Sequence, residues 1–423
     1  MIWQGVLGII AIVIIAFCCS ADKKSVKWRA IFLGIVTQFV IAIIIFKVPV
    51  INEFFVSLTH LIHMLERATQ AGTSFVLGYV GGAELPFATD ASGSGTSFIL
   101  AFQALPLALV VSALSSLLFY WRILPAIIKT FGFVFQKTLN IGGALSLGSA
   151  ANIFFGIDSA PLMIRNHLHY MSKSELFAFL TTSMATVAGT VMVLYAKILD
   201  GVVQDVVGHI IAASVINIPA AITIARIIYP DTTGPTAGDY DKSLMPKSSM
   251  DAITRGTTEG LHLVLCIVAM LIVLLALVSL ANQILEFLPF AKPITLQSML
   301  GLVMMPLMWL IGIPLEQAQI AGALMGTKIV LNELVAYIDL SRLAPGTLDE
   351  RSRMIMIYAL CGFANFGSVG ISIASLNALI PSRRDEIVDL ALKSILSGVL
   401  ATMMTGAIVG LLFTTDTAAL ILK

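Results

Sequence analysis

Asn152-Ile153-Phe154-Phe155-Gly156-Ile157-Asp158 is followed one apolar segment later by Ala185-Thr186-Val187-Ala188-Gly189-Thr190. About 180 residues further on, Asn332-Glu333 is followed by Gly362-Phe363-Ala364-Asn365-Phe366-Gly367-Ser368. Asn152 to Thr186 is 34 positions, and Asn332 to Asn365 is 33. Each half therefore offers a polar-tipped segment and then a run of small residues carrying a polar side chain. All of these groups sit in apolar surroundings. Repeated halves with Gly-interrupted apolar segments are the sequence pattern that points to a transporter's binding site. Chance similarity between apolar segments is the competing explanation of the repeat.

The composition supports a membrane setting. Apolar residues make up 58% of the chain and charged ones 12%, about half the charged fraction of an ordinary soluble domain; mean hydropathy is +0.96. Apolar runs of about 20 residues, the length needed to span a hydrocarbon core, recur along the whole chain. The expected fold class is an all-α polytopic membrane protein: about eight transmembrane helices, two re-entrant helical hairpins in inverted repeats, and an interfacial helix. A net charge of +1 and the lack of a basic tract give no reason to expect nucleic acid as a partner; the lipid bilayer is the expected one. Cys18, Cys19, Cys266 and Cys361 have no metal or disulfide spacing and read as buried small hydrophobes. The six histidines show no zinc-type arrangement, and His167 and His169 fall in a basic loop where solvation is expected.

Lys23, Lys24, Lys27 and Arg29 follow the first apolar run rather than precede it. Residues 1–20 therefore read as a retained first span, not a signal peptide, with its following loop cytoplasmic and the N-terminus outside. A second span covers 30–46. Residues 52–70 mix aromatics, histidines and charges in the pattern of a helix lying in the interface, and 81–97 reads as an external loop. A third span runs from Phe98 to Trp121. Residues 141–164 are too polar for a lipid-facing helix, and Pro161 closely follows Gly156. A hairpin turning back near Gly156 satisfies both features, provided protein or water covers it. Spans follow at 176–198 and 206–228, then a polar linker, then a span at 261–285. Residues 299–311 lead into a second re-entrant candidate ending near Tyr337, and the last spans are 354–378 and 387–413. The expected division is 1–97, 98–140, 141–228, a cytoplasmic linker at 229–257, 258–293 and 294–423. Both termini fall outside; Arg342, Arg351 and Arg353 then lie externally, against the charge rule.

Glu333 is the sharpest single signal, because a carboxylate within a membrane segment is costly and usually faces a cavity or a partner. It suits a hydrogen-bond acceptor for polyol hydroxyls or a proton acceptor; the structural alternative is an ion pair with Lys328. Asn365 and Ser368, three apart, share a helical face, bracketed by Gly362 and Gly367. They mark either a broken helix with free carbonyls or close helix contact through small residues. Phe363 suits a flat ring or the core. Asn152 and Thr186 offer neutral oxygens suited, with freed backbone carbonyls, to sodium, or to ordinary interhelical hydrogen bonding. Asp158, beside Gly156, could contact substrate, cap the following helix or take a proton.

Three blocks, Ser149-Ala150-Ala151-Asn152-Ile153-Phe154-Phe155-Gly156, Asn332-Glu333-Leu334-Val335-Ala336-Tyr337 and Ala359 through Ser368, resemble the concentrative nucleoside transporter family, and the likeness covers nearly the whole chain. The resemblance implies a bacterial inner-membrane homotrimer with a scaffold and a mobile transport domain, importing nucleosides with sodium by an elevator movement. It implies ribose contacts from Glu333, Asn365 and Ser368, with Phe363 near the base, and places Gly156, Ile157, Asp158, Ser159 and Val191 at the substrate. It implies sodium held by Asn152 and Thr186, the latter replacing a serine, with carbonyls from Phe155 and Val187. One departure concerns the base: where the family has Gln, then Thr or Ser, then Glu after the hairpin glycine, this chain has Ile157-Asp158-Ser159. The alternative is a proton-coupled importer with altered base specificity. An enzyme is disfavoured, since no His-Glu-x-x-His, Gly-x-Ser-x-Gly or other nucleophile–base arrangement appears. A passive channel is disfavoured by the paired re-entrant segments.

Overall fold

The apolar runs fold into helices throughout the described residues of the computed structural model, which are 2–86, 99–199, 201–203, 205–232, 234–238, 245–287 and 294–413. In chain order the helices are α1 (Ile2–Cys18), α2 (Trp28–Lys47), α3 (Pro49–Leu77), α4 (Pro106–Tyr120), α5 (Ile123–Leu139), α6 (Gly143–Met163), α7 (Arg165–Leu168), α8 (Lys173–Ala185), α9 (Gly189–Ile198), α10 (Val206–Ile228), α11 (Ser249–Glu286), α12 (Leu296–Leu310), α13 (Leu315–Val330), α14 (Glu333–Ser341), α15 (Glu350–Leu360), α16 (Phe366–Leu379) and α17 (Arg384–Leu412). Among the described residues, six helical stretches are long and apolar enough to cross a membrane, and three shorter apolar helices accompany them. The segment expected at the interface lies within α3. The expected external loop lies outside the described residues from 87 onward, as do Asp200 and part of the linker.

The two halves share one order of parts: a broken hairpin, a broken helix, a long helix. In the first half, α6 breaks at Gly156, whose φ of 74° and ψ of −173° belong to the region only glycine enters freely. The chain then doubles back. Ile164 Cδ1 lies 2.8 Å from where a Cβ on Gly148 would stand, although 16 helical residues would separate them by about 24 Å. A Cβ on Gly156 itself would stand 2.6 Å from Ala188 Cβ, so glycine also lets the hairpin tip touch the next element. That element is α8–α9, which unwinds at 186–188. In the second half, α13 and α14 meet at Leu331-Asn332, and α15–α16 unwinds at 361–365. The runs at 176–198 and 354–378, which read as continuous spans, are thus each two half-helices.

The halves interlock. Across Lys173–Ile198, 89% of the apolar window is buried, and 83% in α10, against 11% in α11; α8, α10, α15 and α17 form the centre. Lipid tails are as apolar as leucine, so small and hydroxylated residues rather than apolar bulk favour such contacts. Thr181 of α8 and Ser397 of α17 share a hydrogen bond of 2.8 Å. Gln38 of α2 donates to Thr405 of α17 at 2.9 Å. Peripheral α11 packs along α4 with Gly256 and Gly260 at the contact: Cβ atoms there would lie 2.7 Å from Ala113 Cα and 2.9 Å from Leu109 Cα.

Two of the three arginines at odds with the charge rule, Arg351 and Arg353, serve the backbone. Arg351 donates to Gly410 O and Gly312 O, and Arg353 to Val202 O, so these cations satisfy carbonyls near the ends of α17, α12 and α9. The cysteines need correction. Only Cys361 is buried; Cys18, Cys19 and Cys266 are exposed on the protein surface. In a membrane helix an apolar neighbourhood is shared by lipid-facing and core positions, so it does not predict burial.

Candidate functional site

The two unwound segments lie side by side. A Cβ on Gly362 would stand 2.9 Å from the carbonyl oxygens of Met184 and Ala185. Asn217 of α10 fastens them: its amide donates to Ala185 O at 2.7 Å and to Cys361 O at 2.9 Å. These are carbonyls at the broken ends of α8 and α15, deprived of their next-turn donors.

Half-helix N-termini converge beside this junction. Asn332 caps α14, accepting from Val335 N at 3.0 Å. Asn365 caps α16, accepting from Ser368 N at 2.8 Å. The expected shared helical face of Asn365 and Ser368 is therefore a capping turn, with Asn365 just outside the helix. Glu333, the first residue of α14, occupies the positive end of that helix, where a carboxylate is favoured. Its Oε1 accepts from Tyr195 Oη at 2.5 Å and its Oε2 from Asn365 Nδ2 at 3.0 Å. A carboxylate has about four acceptor positions, so Glu333 keeps capacity for two further donors. Lys328 is not its partner: the ammonium donates to Ala359 O and Thr402 Oγ1.

A cavity of about 370 Å³ opens in front of Glu333. Gly156, Ile157, Asp158, Ser159, Val191, Glu333, Phe363, Asn365 and Ser368 all line it, so the structure brings the expected substrate residues of both repeats to one place; Phe155, expected to lend a carbonyl to sodium, lines it as well. Its far wall is α4 and α11, through Ser112, Phe119, Glu259, His262 and Met270, and it extends to Pro246 and Arg255 at the linker end. Asp158 is exposed in this wall and hydrogen-bonds to Ser159. Its carbonyl accepts from Ser375 Oγ of α16 at 2.8 Å, joining the first hairpin to the second broken helix. Ile157 is buried beneath.

Asn152, Thr186 and Val187 lie behind the cavity wall in a separate buried cluster. Asn152 Nδ2 donates to Thr182 Oγ1 at 3.3 Å, and Ser183 Oγ donates to Asn152 Oδ1 at 3.0 Å. Thr186 Oγ1 donates to Thr182 O at 2.8 Å, and Val187 N to Ser214 Oγ at 3.3 Å. Every side-chain acceptor here is a neutral oxygen. Such a set suits a hard monovalent cation and offers nothing to zinc; among the described residues no group of three His, Cys, Asp or Glu is placed to hold a metal.

Sequence reading missed Tyr195, Asn217, Thr182 and Ser183. The two hydroxyls sit within one turn of the unwound Thr186 and were findable as a polar cluster at a helix end. Tyr195 and Asn217 stand singly in apolar helices, and their partners are 138 and 144 positions away.

Comparison with known proteins agrees across the chain. Family profiles match at residues 7–80 (Na+ dependent nucleoside transporter N-terminus), 101–201 (nucleoside recognition) and 209–410 (Na+ dependent nucleoside transporter C-terminus). Nucleoside permease NupC of Helicobacter pylori is 35% identical over 416 residues, 96% of this chain and 97% of its own. Solute carrier family 28 member 3 of Rattus norvegicus is 30% identical over 432 residues, 97% of this chain and 59% of its own. The structure of CNTnw in an inward-facing substrate-bound state matches with a TM-score of 0.87 at 30% identity, covering 96% of this chain and 98% of that one. These relatives and structural neighbours are transporters, not enzymes, and the matches span both repeats and the elements between them. The chain belongs to the sodium-dependent, concentrative nucleoside transporter family.

Proposed function

We propose that this chain is a symporter that carries nucleosides into the cell together with sodium. The observation that supports it most is Glu333: a buried carboxylate at a half-helix N-terminus, braced by Tyr195 and Asn365, with two acceptor positions left beside the cavity. A vicinal diol such as that of ribose offers two hydroxyl donors at matching spacing. Asn365 and Ser368 complete the polar floor, and Phe363 and Val191 supply apolar surface for the base.

Sodium is the proposed coupling ion, held by Asn152 and Thr186 with the carbonyls of Phe155 and Val187. The all-oxygen neutral cluster around Asn152 fits that role, and the family description is of sodium dependence. Asn152 and Thr186 sit on the two elements that touch at Gly156 and Ala188, so an ion bound there would tie the hairpin tip to the unwound segment and shape the adjoining cavity. Linkage then works both ways: sodium raises nucleoside affinity and nucleoside raises sodium affinity by the same factor.

Alternating access follows an elevator scheme in this reading, with α4 and α11 as part of the fixed wall and the two hairpins and broken helices moving together. Solved relatives occupy inward-facing and outward-facing states. The cavity reaches the linker end, which is the cytoplasmic end under the expected orientation. A homotrimer in the inner membrane with both termini outside completes the proposal.

Base recognition is where this chain has its own character. Ile157, Asp158 and Ser159 place an alkyl group, an exposed carboxylate and a hydroxyl at the hairpin tip. A carboxylate accepts from base N–H donors and cannot donate to a base carbonyl. Bases that present adjacent N–H groups are therefore the preferred cargo. Asp158→Ala should lower affinity for the preferred nucleoside by about 10-fold, the equivalent of one lost charged hydrogen bond, while leaving nucleosides without a matching donor unchanged. Competition of a nucleoside panel against labelled uridine measures this; an unaltered selectivity order in Asp158→Ala would remove Asp158 from the base site.

A further inference from the structure

The repeats invite a position-by-position comparison that Glu333 and Asn152 do not exhaust. Asn152 stands four residues before the tip glycine of the first hairpin, and its amide meets Thr182 and Ser183 in the last turn of α8 before the break. Lys328 stands four residues before Asn332 at the tip of the second hairpin. Its Nζ meets Ala359 O, in the last turn of α15 before the break, at 2.8 Å, and Thr402 Oγ1 of α17 at 3.1 Å. The third helix of each repeat also contributes a polar residue to the break: Asn217 on α10 and Thr402 on α17.

Lys328 is fully buried, and no described carboxylate lies within 4.0 Å of its ammonium. It donates to a backbone carbonyl and a hydroxyl, hard neutral oxygens like the hydroxyls that the first repeat gathers around Asn152. We infer that the Lys328 ammonium is a tethered cation filling the place in the second repeat that corresponds to the exchangeable sodium site of the first. The inference rests on the sodium-coupled reading above. Both half-helix breaks end in freed carbonyls that need positive charge or donors. Asn217 donates to one carbonyl of each break; beyond that, the first repeat meets the need with a bound ion, the second with a lysine that cannot leave. The consequence is a single exchangeable sodium per nucleoside. With Glu333 ionised, Lys328 also offsets its charge within the moving unit.

The test compares wild type with Lys328→Asn, which copies the residue of the first repeat, in proteoliposomes at graded sodium. Wild type should show a Hill coefficient of about one for sodium. Lys328→Asn should lose uptake at sodium concentrations that saturate wild type and recover it at higher sodium but not with potassium, with a Hill coefficient rising toward about two. A purely structural lysine would give no sodium-selective recovery. Wild-type sodium dependence in Lys328→Asn, or loss that no sodium concentration restores, would overturn the inference. The wild-type sodium-to-nucleoside ratio, measured from the reversal potential, needs no variant: a ratio of one supports the inference and a ratio of two overturns it. Sodium-indifferent uptake by wild type would instead overturn the sodium-coupled reading. The lysine assignment is then judged by thermal stability of the purified proteins: a sodium-induced gain larger in Lys328→Asn than in wild type supports it, and an equal gain overturns it.

Discussion

Glu333→Ala is expected to reduce nucleoside affinity at least roughly 100-fold and to bring uptake to background. Two hydroxyl donors on one carboxylate are charge-assisted bonds, each contributing about 1.5–3 kcal/mol, so losing both costs about 3–6 kcal/mol of binding. Every 1.4 kcal/mol is about a factor of ten. The loss extends past the missing bonds, because Tyr195 Oη and Asn365 Nδ2 both donate to this carboxylate and lose their shared acceptor. Glu333→Gln keeps the shape and one acceptor oxygen, and should retain an intermediate affinity. Calorimetric titration of uridine into the purified protein with sodium present reads both variants directly. Wild-type affinity in Glu333→Ala would take the ribose away from this carboxylate.

The second large effect is on stability. Asn217→Leu preserves approximate volume but leaves Ala185 O and Cys361 O without their donor. Each buried carbonyl stripped of its partner costs about 1–3 kcal/mol, for a total of about 2–6 kcal/mol. That is a large fraction of the margin by which a folded protein is stable. This one amide joins the two unwound segments, so the damage should appear in both halves of the binding site. A thermal melt of the purified protein should show a clear drop, and sodium and nucleoside should restore less stability than in wild type. Asn217→Asp, which accepts where donation is needed, should be at least as harmful. An unshifted melt for Asn217→Leu would mean that the unwound ends find other donors.

The sequence made the architecture legible because membrane helices announce themselves by length and composition. Residues 206–228 read as a span and fold as α10 over the same range. Gly156 was readable as a turning point since Pro161 and an excess of small polar residues accompany it. Other features were hidden by the same uniformity. Thr186 and Cys361 sit at breaks that apolar composition disguises as continuous spans, because an unwound segment of three to five residues does not lower the average of its neighbours. Tyr195 and Asn217 act on partners far away in sequence, and nothing local distinguishes them from lone polar residues in ordinary packing. Sequence proximity makes Lys328 a natural candidate partner for Glu333. The hairpin carries its side chain to the end of α15 instead, a separation that only the three-dimensional break creates.

Energised nucleoside uptake is the activity proposed for this chain. Purified protein in proteoliposomes, given labelled uridine and an inward sodium gradient with choline as the replacement control, should accumulate the label above its external concentration. The accumulation should collapse when the gradient is dissipated. Equilibration without accumulation, or equal uptake in choline, would contradict sodium-coupled nucleoside symport.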